Sequence, residues 1–425
     1  MANSELIVGL DLGTTKTSVI VGRKNEYGKL DILGIGNTSS YGLSRGVVTN
    51  IDRTVEAITQ SVEEASKRSD VEIESVNVGI SGNHLKSIQT QGVKVRNNND
   101  KEITQEDVDF LIDQARKTIT DPGEKVVHVY PQEFTIDSES CIKDPVGMAG
   151  VRMEGDFHII SANISAARNI KRCVTKSGLN MDAMTVEPIA SGEAVLSEEE
   201  KEAGVALVDI GGGSTDVVIY KDNIIRHTAI IPFGGNIVTS DIKEGCNIMY
   251  KKAESLKVQF GSAVPDETHA NELIVIEDLK GREPREISSK NLACIIEARI
   301  SEVFNMVFGE IKNSGYENQL IGGIVVTGGG ANLQHIAQAV EYYTGFDTRV
   351  GFPNEHLANG MTQEVNDPKF STPIGLILEG FKQEQKPESL EKPKKDKENN
   401  EGWFQNLFKK GKKWLEDDDL DDYEK

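Results

Sequence analysis

The chain has 425 residues, 47 Lys and Arg against 68 Asp and Glu, a formal net charge of -21, and 37% hydrophobic residues. That length corresponds to about three average domains and can bury sizeable cores without disulfide or metal staples, while the negative charge argues against non-specific nucleic-acid binding. The four cysteines, Cys141, Cys173, Cys246 and Cys294, show no C-x-x-C spacing, which excludes a zinc ribbon or a disulfide framework and fits a reducing cytosol.

At the N-terminus, Met1 to Glu5 has no basic region, and the apolar run that follows is broken by Asp11. A signal peptide is therefore not expected. Leu6–Leu10, Thr17–Val21 and Leu30–Gly36 are short β-rich runs punctuated by glycine. Val55–Lys67 and Gln105–Lys117 have the spacing of amphipathic helices. Val205–Asp209, Val217–Tyr220 and Ile224–Ile231 read as strands, Ile295–Ile311 as a helix and Ile324–Thr327 as a buried strand. Strands interleaved with helices predict an α/β or mixed body ending near Phe381. The histidines, His128 and His158 among them, lack ligand spacing and read as strand or surface residues. From about Lys382 to Asn400 almost nothing is apolar, which predicts a flexible linker. An apolar island, Gly402–Leu415, and an acidic end, Glu416–Lys425, close the chain. No stretch approaches the ~20 apolar residues of a membrane span.

The sequence repeats itself once. Ile7-Val8-Gly9-Leu10-Asp11-Leu12-Gly13-Thr14-Thr15-Lys16-Thr17-Ser18-Val19 returns as Ala206-Leu207-Val208-Asp209-Ile210-Gly211-Gly212-Gly213-Ser214-Thr215-Asp216-Val217-Val218. In both copies an apolar strand ends in Asp, an apolar residue and Gly, and a second β-branched run follows. A hairpin duplicated at this distance predicts two related halves facing one another with a site between them. Glycine-rich turns expose successive N–H groups and let an anion approach closely. Thr14, Thr15, Ser214 and Thr215 add hydroxyls and Lys16 a cation. An Asp at each strand end would repel phosphate unless it held a hydrated Mg²⁺, so Asp11 and Asp209 are candidate metal-orienting residues. Ile324 to Leu333 is a strand followed by Gly328, Gly329 and Gly330, with Asn332 expected to cap a helix. Three glycines let a flat ring or a ribose lie on the backbone. Neither a P-loop nor a dinucleotide-binding glycine fingerprint is present.

Together the three motifs resemble the two phosphate loops and the adenosine loop of the actin/Hsp70/sugar-kinase superfamily. Met184 to Gly192 resembles its first connecting helix. Gly234-Gly235-Asn236, with Glu254 and Lys257 downstream, resembles the segment that reaches the nucleotide's ribose and base. Val127 to Phe134, Ile142 to Gly150 and His158-Ile159-Ile160 resemble the inserted subdomain of the FtsA family of bacterial cell-division proteins, a block more specific than the phosphate loops. The resemblance implies an actin-like ATPase fold of class α/β. Its first half would be residues 1–83 and 163–196, its inserted subdomain 84–162, its second half 197–226 and 306–381, and its fourth subdomain 227–305. A linker, 382–401, an amphipathic helix, 402–416, and an acidic tail, 417–425, would follow. It also implies ATP and Mg²⁺ as cofactors. Asp11, Gly13, Thr14, Thr15 and Lys16 would face Asp209, Gly211, Gly212, Gly213, Ser214 and Thr215 across the phosphates. Gly328, Gly329, Gly330 and Asn332 would take adenosine. Glu187 or Asp209 would position water in at most a slow hydrolysis.

Taken as a helix at about 100° per residue, the terminal island gathers Trp403, Phe404, Leu407, Phe408, Trp414 and Leu415 on one face, with Lys409, Lys412 and Lys413 opposite. Both tryptophans of the chain lie there. Aromatic residues suit the headgroup boundary and lysines attract anionic lipid, so a surface membrane contact is expected; the acidic residues from Glu416 onward oppose it. The resemblance implies partners as well: the tubulin-like division protein FtsZ, bound through the fourth subdomain, further copies of the chain in actin-like filaments, and later division proteins, all at the cytoplasmic face of the inner membrane. Asp266 to Arg285 reads either as a loop on that FtsZ surface or as a solvated hairpin. The alternatives are a pilus-assembly or rod-shape actin homologue and a small-molecule kinase. An Hsp70-like chaperone is disfavoured, because too little chain follows the nucleotide core for a peptide-binding domain.

Overall fold

The computed structural model of the protein describes residues 6–96, 102–118, 120–269, 272–276, 284–358 and 362–384. The first repeat forms an antiparallel hairpin of β1 (Leu6–Leu12) and β2 (Lys16–Lys24), and β3 (Leu30–Ser39) pairs with β2. A two-residue turn at Arg45 and Gly46 joins β4 (Leu43–Ser44) to β5 (Val47–Val48). Helix α1 (Ile51–Ser69) starts four residues before the apolar spacing predicts. Asn50 sets that start, its side chain accepting from the Arg53 N–H at 3.0 Å. After β6 (Ser75–Ile80) the chain leaves the sheet and builds β7 (Leu85–Val95), α2 (Gln105–Arg116), β8 (Glu124–Ile136), β9 (Glu139–Ile142) and β10 (Arg152–Asn163). These strands form a separate sheet in the order β7-β10-β8-β9, with its own core around Phe134, Met153 and Phe157. Helix α3 (Ile164–Lys176) and β11 (Asn180–Val186) then return to the first sheet, whose order is β11-β6-β1-β2-β3. Met184 to Val186, expected in a connecting helix, are the end of β11.

The connecting helix is α4 (Glu187–Val195), followed by α5 (Glu198–Ala203). The second repeat gives β12 (Val205–Ile210) and β13 (Thr215–Lys221), extended by β14 (Ile224–Ile231). Next come α6 (Gly235–Cys246), α7 (Tyr250–Phe260), a hairpin of β15 (Leu273–Ile276) and β16 (Arg285–Ser288), and the long α8 (Ser289–Asn313). The hairpin's first strand lies in the charged segment and its second begins at the segment's last residue, and Ile274 and Ile276 are buried in the core of the second half, so it is a packed hairpin rather than a solvated one. Then β17 (Ile324–Thr327), α9 (Ile336–Thr344) and β18 (Thr348–Val350) complete a sheet ordered β14-β13-β12-β17-β18. Each five-stranded sheet thus has an antiparallel three-strand side and a parallel side, in the same sequence order. Helix α9 does not begin at Asn332. Gly329–Asn332 is a 3-10 turn, and His335 precedes the helix with φ 60°.

After α10 (Thr362–Val365), helix α11 (Ser371–Glu384) runs beside α4. It includes Lys382, expected in the linker, because Lys382 pairs with Glu193 of α4. The two helices touch backbone to side chain: a Cβ on Gly375 would collide with the Ala190 carbonyl. A separate apolar core, with Leu207, Val218, Val325, Ile374 and Ile377, joins the halves around these helices. The inserted sheet rests on β14, where the Gln89 and Gln132 amides donate to the Arg226 carbonyl at 2.9 and 3.3 Å, and Arg226 pairs with Glu133 at 2.5 Å. Residues 402–416 and the acidic tail lie outside the described residues. Gly375→Ala is expected to lower stability by about 2 kcal/mol through overpacking. An unchanged urea midpoint would show that α4 and α11 do not need this close approach.

Candidate functional site

The two repeats form turns of equal length. One spans residues 13–16 beyond the Leu12–Thr17 pair, the other 211–214 beyond the Ile210–Thr215 pair. They face each other closely: a Cβ on Gly212 would lie 2.5 Å from Thr15 Cγ2, and one on Gly213 2.6 Å from Thr14 Oγ1. A cavity of about 90 Å³ opens beneath them, lined by Asp11, Gly13, Thr14, Thr15, Lys16, Glu187, Asp209, Gly211 to Ser214 and Gly328. It adjoins a second cavity of about 210 Å³ lined by Thr215, Glu254, Lys257, Gly330 and Asn332. Thr15, Gly211, Gly212 and Gly329 line both. The candidate residues from six separate stretches of sequence therefore meet in one cleft.

Four carboxylates crowd its smaller end. Asp209 is buried and accepts from Ser191 Oγ at 2.6 Å and Thr372 Oγ1 at 3.4 Å. Burial raises its carboxyl above the usual range, against the pull of those two bonds and of Lys16. Burial pushes Asp11 up to about 6, with Lys16 opposing and Asp209 adding to the rise. Asp216 lies opposite Asp209 in the β12–β13 register. Burial pushes it up to about 7, although Ser81 Oγ donates to it at 2.5 Å. Glu187 stands well above its usual range through burial and the charges of Asp11, Asp216 and Asp209. Burial brings Lys16 down to about 8, and its ammonium donates to the Lys369 carbonyl at 2.6 Å.

A divalent cation suits this end. Asp216 Oδ1 is buried without a hydrogen-bond partner, and the surrounding donors are oxygens, which hard cations prefer. Among the described residues no three His, Cys, Asp or Glu side chains converge tightly enough to ligate a metal directly.

The wider end has a different chemistry. Lys257 Nζ donates to the Gly235 carbonyl at 3.0 Å and to Thr239 Oγ1 at 2.8 Å, and pairs with Glu254 at 2.8 Å. Val258, Ile300 and Val303 give it apolar walls. The Gly235 and Asn236 N–H groups donate to the Gly211 and Gly212 carbonyls at 2.9 and 2.8 Å, so the start of α6 braces the second turn. Asn332 is held by Asp367, its Nδ2 donating at 2.8 Å. Gly328 takes φ 81°, and a Cβ there would collide with Asp209. The sequence reading missed Asp216, Ser81, Ser191, Thr372 and Lys369. Asp216 carried a signal, since equal turns place it opposite Asp209; the others come from distant elements with no motif of their own.

Duplicated sheets hinged by two helices over a common cleft define the actin-like ATPase fold. Solved structures share it. The PilM-PilN type IV pilus biogenesis complex matches with a TM-score of 0.64 at 17% identity, covering 88% of this chain and 98% of that one. MreB5 of Spiroplasma citri bound to ADP matches with a TM-score of 0.51 at 16% identity, covering 90% and 96%. The family model described as Cell division protein FtsA matches residues 206–375, and the SHS2 domain inserted in FTSA matches residues 82–161. Cell division protein FtsA of Neisseria meningitidis serogroup B is 40% identical over 370 residues, 87% of this chain and 88% of that protein. The Escherichia coli K12 protein of the same name is 34% identical over 383 residues, 88% and 90%. The chain belongs to the FtsA family of cell division proteins.

Ser191→Ala removes the shorter bond to a buried carboxylate and is expected to cost about 1–3 kcal/mol. A denaturation midpoint equal to that of the unaltered protein would show that Asp209 does not depend on Ser191.

Proposed function

We propose that this protein binds ATP with Mg²⁺ in the cleft and tethers FtsZ filaments to the cytoplasmic face of the inner membrane at the division site. The observation that carries the nucleotide reading is the convergence of two acid-tipped glycine turns, one near the N-terminus and one at mid-chain, onto one polar cavity beside a wider, partly apolar one. The turn N–H groups with Thr14, Thr15, Ser214 and Lys16 hold phosphate oxygens. Asp11 and Asp209 orient the waters of a bound Mg²⁺, which neutralises phosphate charge. Gly328, Gly329, Gly330 and Asn332 form the adenosine floor, with Glu254 and Lys257 beside the sugar and base. Glu187 or Asp209 positions the attacking water in a slow hydrolysis that serves as a conformational switch.

Cleft binding in this reading sets the arrangement of four subdomains: residues 1–83 with 163–196, 84–162, 197–226 with 306–381, and 227–305. The last of these meets FtsZ. Membership of the FtsA family supports a division role, and self-association and contacts with later division proteins belong to the same proposal. Among the described residues no helix is long and apolar enough to cross a membrane. Trp403, Phe404, Leu407, Phe408, Trp414 and Leu415 supply the membrane contact instead, as a reversible surface helix.

Gly329→Val is the sharpest test of the cleft. Its Cβ direction meets nothing nearer than Lys369 Cβ at 3.9 Å, so the fold accepts a side chain that then occupies ligand space. ATP affinity is expected to fall by roughly tenfold or more, and the same is expected of Asp209→Ala, which removes a charged contact. Unaltered ATP affinity in both variants would show the cleft to be misassigned. Deletion of Gly402–Leu415 is expected to leave ATP binding intact and to abolish co-sedimentation of the protein, and of FtsZ with it, on anionic vesicles. Continued sedimentation would remove the membrane helix from the reading.

A further inference from the structure

The turn between β4 and β5 touches both halves of the cleft. Its Gly46 N–H points to Thr14 Oγ1 at 3.4 Å, and a Cβ on Gly46 would collide with the Ser81 carbonyl. On the other side, a Cβ on Gly213 would come within 3.0 Å of Arg45 Cα and 3.1 Å of Arg45 N. Arg45 therefore sits at the seam where the two glycine turns meet, and Gly46 lines the smaller cavity. Arg45 holds φ at 51°, a left-handed conformation that costs a non-glycine residue roughly 1–2 kcal/mol. The two-residue turn imposes it, since Arg45 and Gly46 both take positive φ, 51° and 76°, and it fixes the Arg45 backbone against Gly213.

Charge points the same way. Asp11, Glu187, Asp209 and Asp216 line the smaller cavity against only two lysines named in its lining, Lys16 and Lys369. Lys16 donates to the Lys369 carbonyl, and Lys369 pairs with Asp367 at 2.7 Å. Arg45 is exposed and makes no side-chain hydrogen bond or ion pair among the described residues. A guanidinium is suited to phosphate because its planar donors engage two oxygens at once.

We propose that Arg45 is a phosphate-binding residue that contacts the terminal phosphate of a nucleoside triphosphate in the cleft, so that the β4–β5 turn distinguishes triphosphate from diphosphate. This rests on the nucleotide reading above. A triphosphate ties the turn to both hairpins at once; a diphosphate leaves Arg45 without a partner.

The test compares Arg45→Asn and Arg45→Lys with the unaltered full chain, measuring affinity for a non-hydrolysable ATP analogue and for ADP, each with Mg²⁺. Asn tolerates the left-handed backbone, so Arg45→Asn removes the charge without adding strain. Arg45→Asn is expected to weaken the triphosphate analogue roughly tenfold, the effect of losing a charged hydrogen bond, and to leave ADP affinity within about twofold. Arg45→Lys should recover part of the loss. Unchanged triphosphate affinity in Arg45→Asn, or an equal loss for both nucleotides, overturns the inference while leaving the cleft assignment standing. An unaltered chain that binds neither nucleotide overturns the cleft assignment and this inference with it.

Discussion

Asp209 accepts hydrogen bonds from Ser191 on α4 and Thr372 on α11, while its own strand, β12, is the centre of the second sheet. A carboxylate this deeply buried requires such partners, because an unsatisfied buried anion is costly. The requirement draws the middle of α4 and the start of α11 to one carboxylate. Two glycines make room for it: Gly375 lets α11 lie against Ala190, and Gly328 lets the chain after β17 pass beside the Asp209 side chain. The cleft and the junction between the halves are consequently the same place, and Asp209 touches both helices that join them.

The crowding of Asp11, Asp216 and Glu187 around that centre works against the fold by itself, since burial and mutual repulsion hold these carboxyls above their usual range. Such an arrangement makes sense where a cation and an anion enter together. The inserted sheet gives the same molecule a second contact between its halves. His158 bridges Gln89 at 3.1 Å and Thr228 at 3.1 Å, and burial, with His227 adding to it, pushes the imidazole down to about 3, which keeps it neutral in that buried seam. With Arg226 and Glu133, it makes the insertion's seat on β14 specific rather than merely apolar.

Much of the architecture was legible because local patterns were strong. The duplicated hairpins announce themselves by strand alternation broken at equal glycine turns, and β14 and β17 begin and end where their apolar runs do. Errors arose where a local preference met a tertiary competitor. Asn332 has the chemistry of a helix cap, but it closes a 3-10 turn, Leu333 after it is extended, and the helix waits until Ile336. Lys382 has the composition of a linker, but Glu193 across the helix pair holds it in α11. Met184 to Val186 look continuous with the helix that follows, yet the parallel partner β6 claims them as strand.

By itself, the sequence determined the kind of chemistry at the cleft. Glycine turns, hydroxyls and carboxylates at matched positions bring hydrogen-bond donors and negative charge wherever the backbone places them, because those groups belong to the residues. Which distant groups complete the site was decided in the tertiary structure alone. Ser81, Ser191, Thr372 and Arg45 carry no motif, and each is ordinary in its own element. They matter because two sheets of the same topology are packed through shared helices, which brings these groups within bonding or contact distance of Asp216, Asp209 and Gly213. Those distances depend on packing between elements far apart in the chain, and no local pattern encodes them.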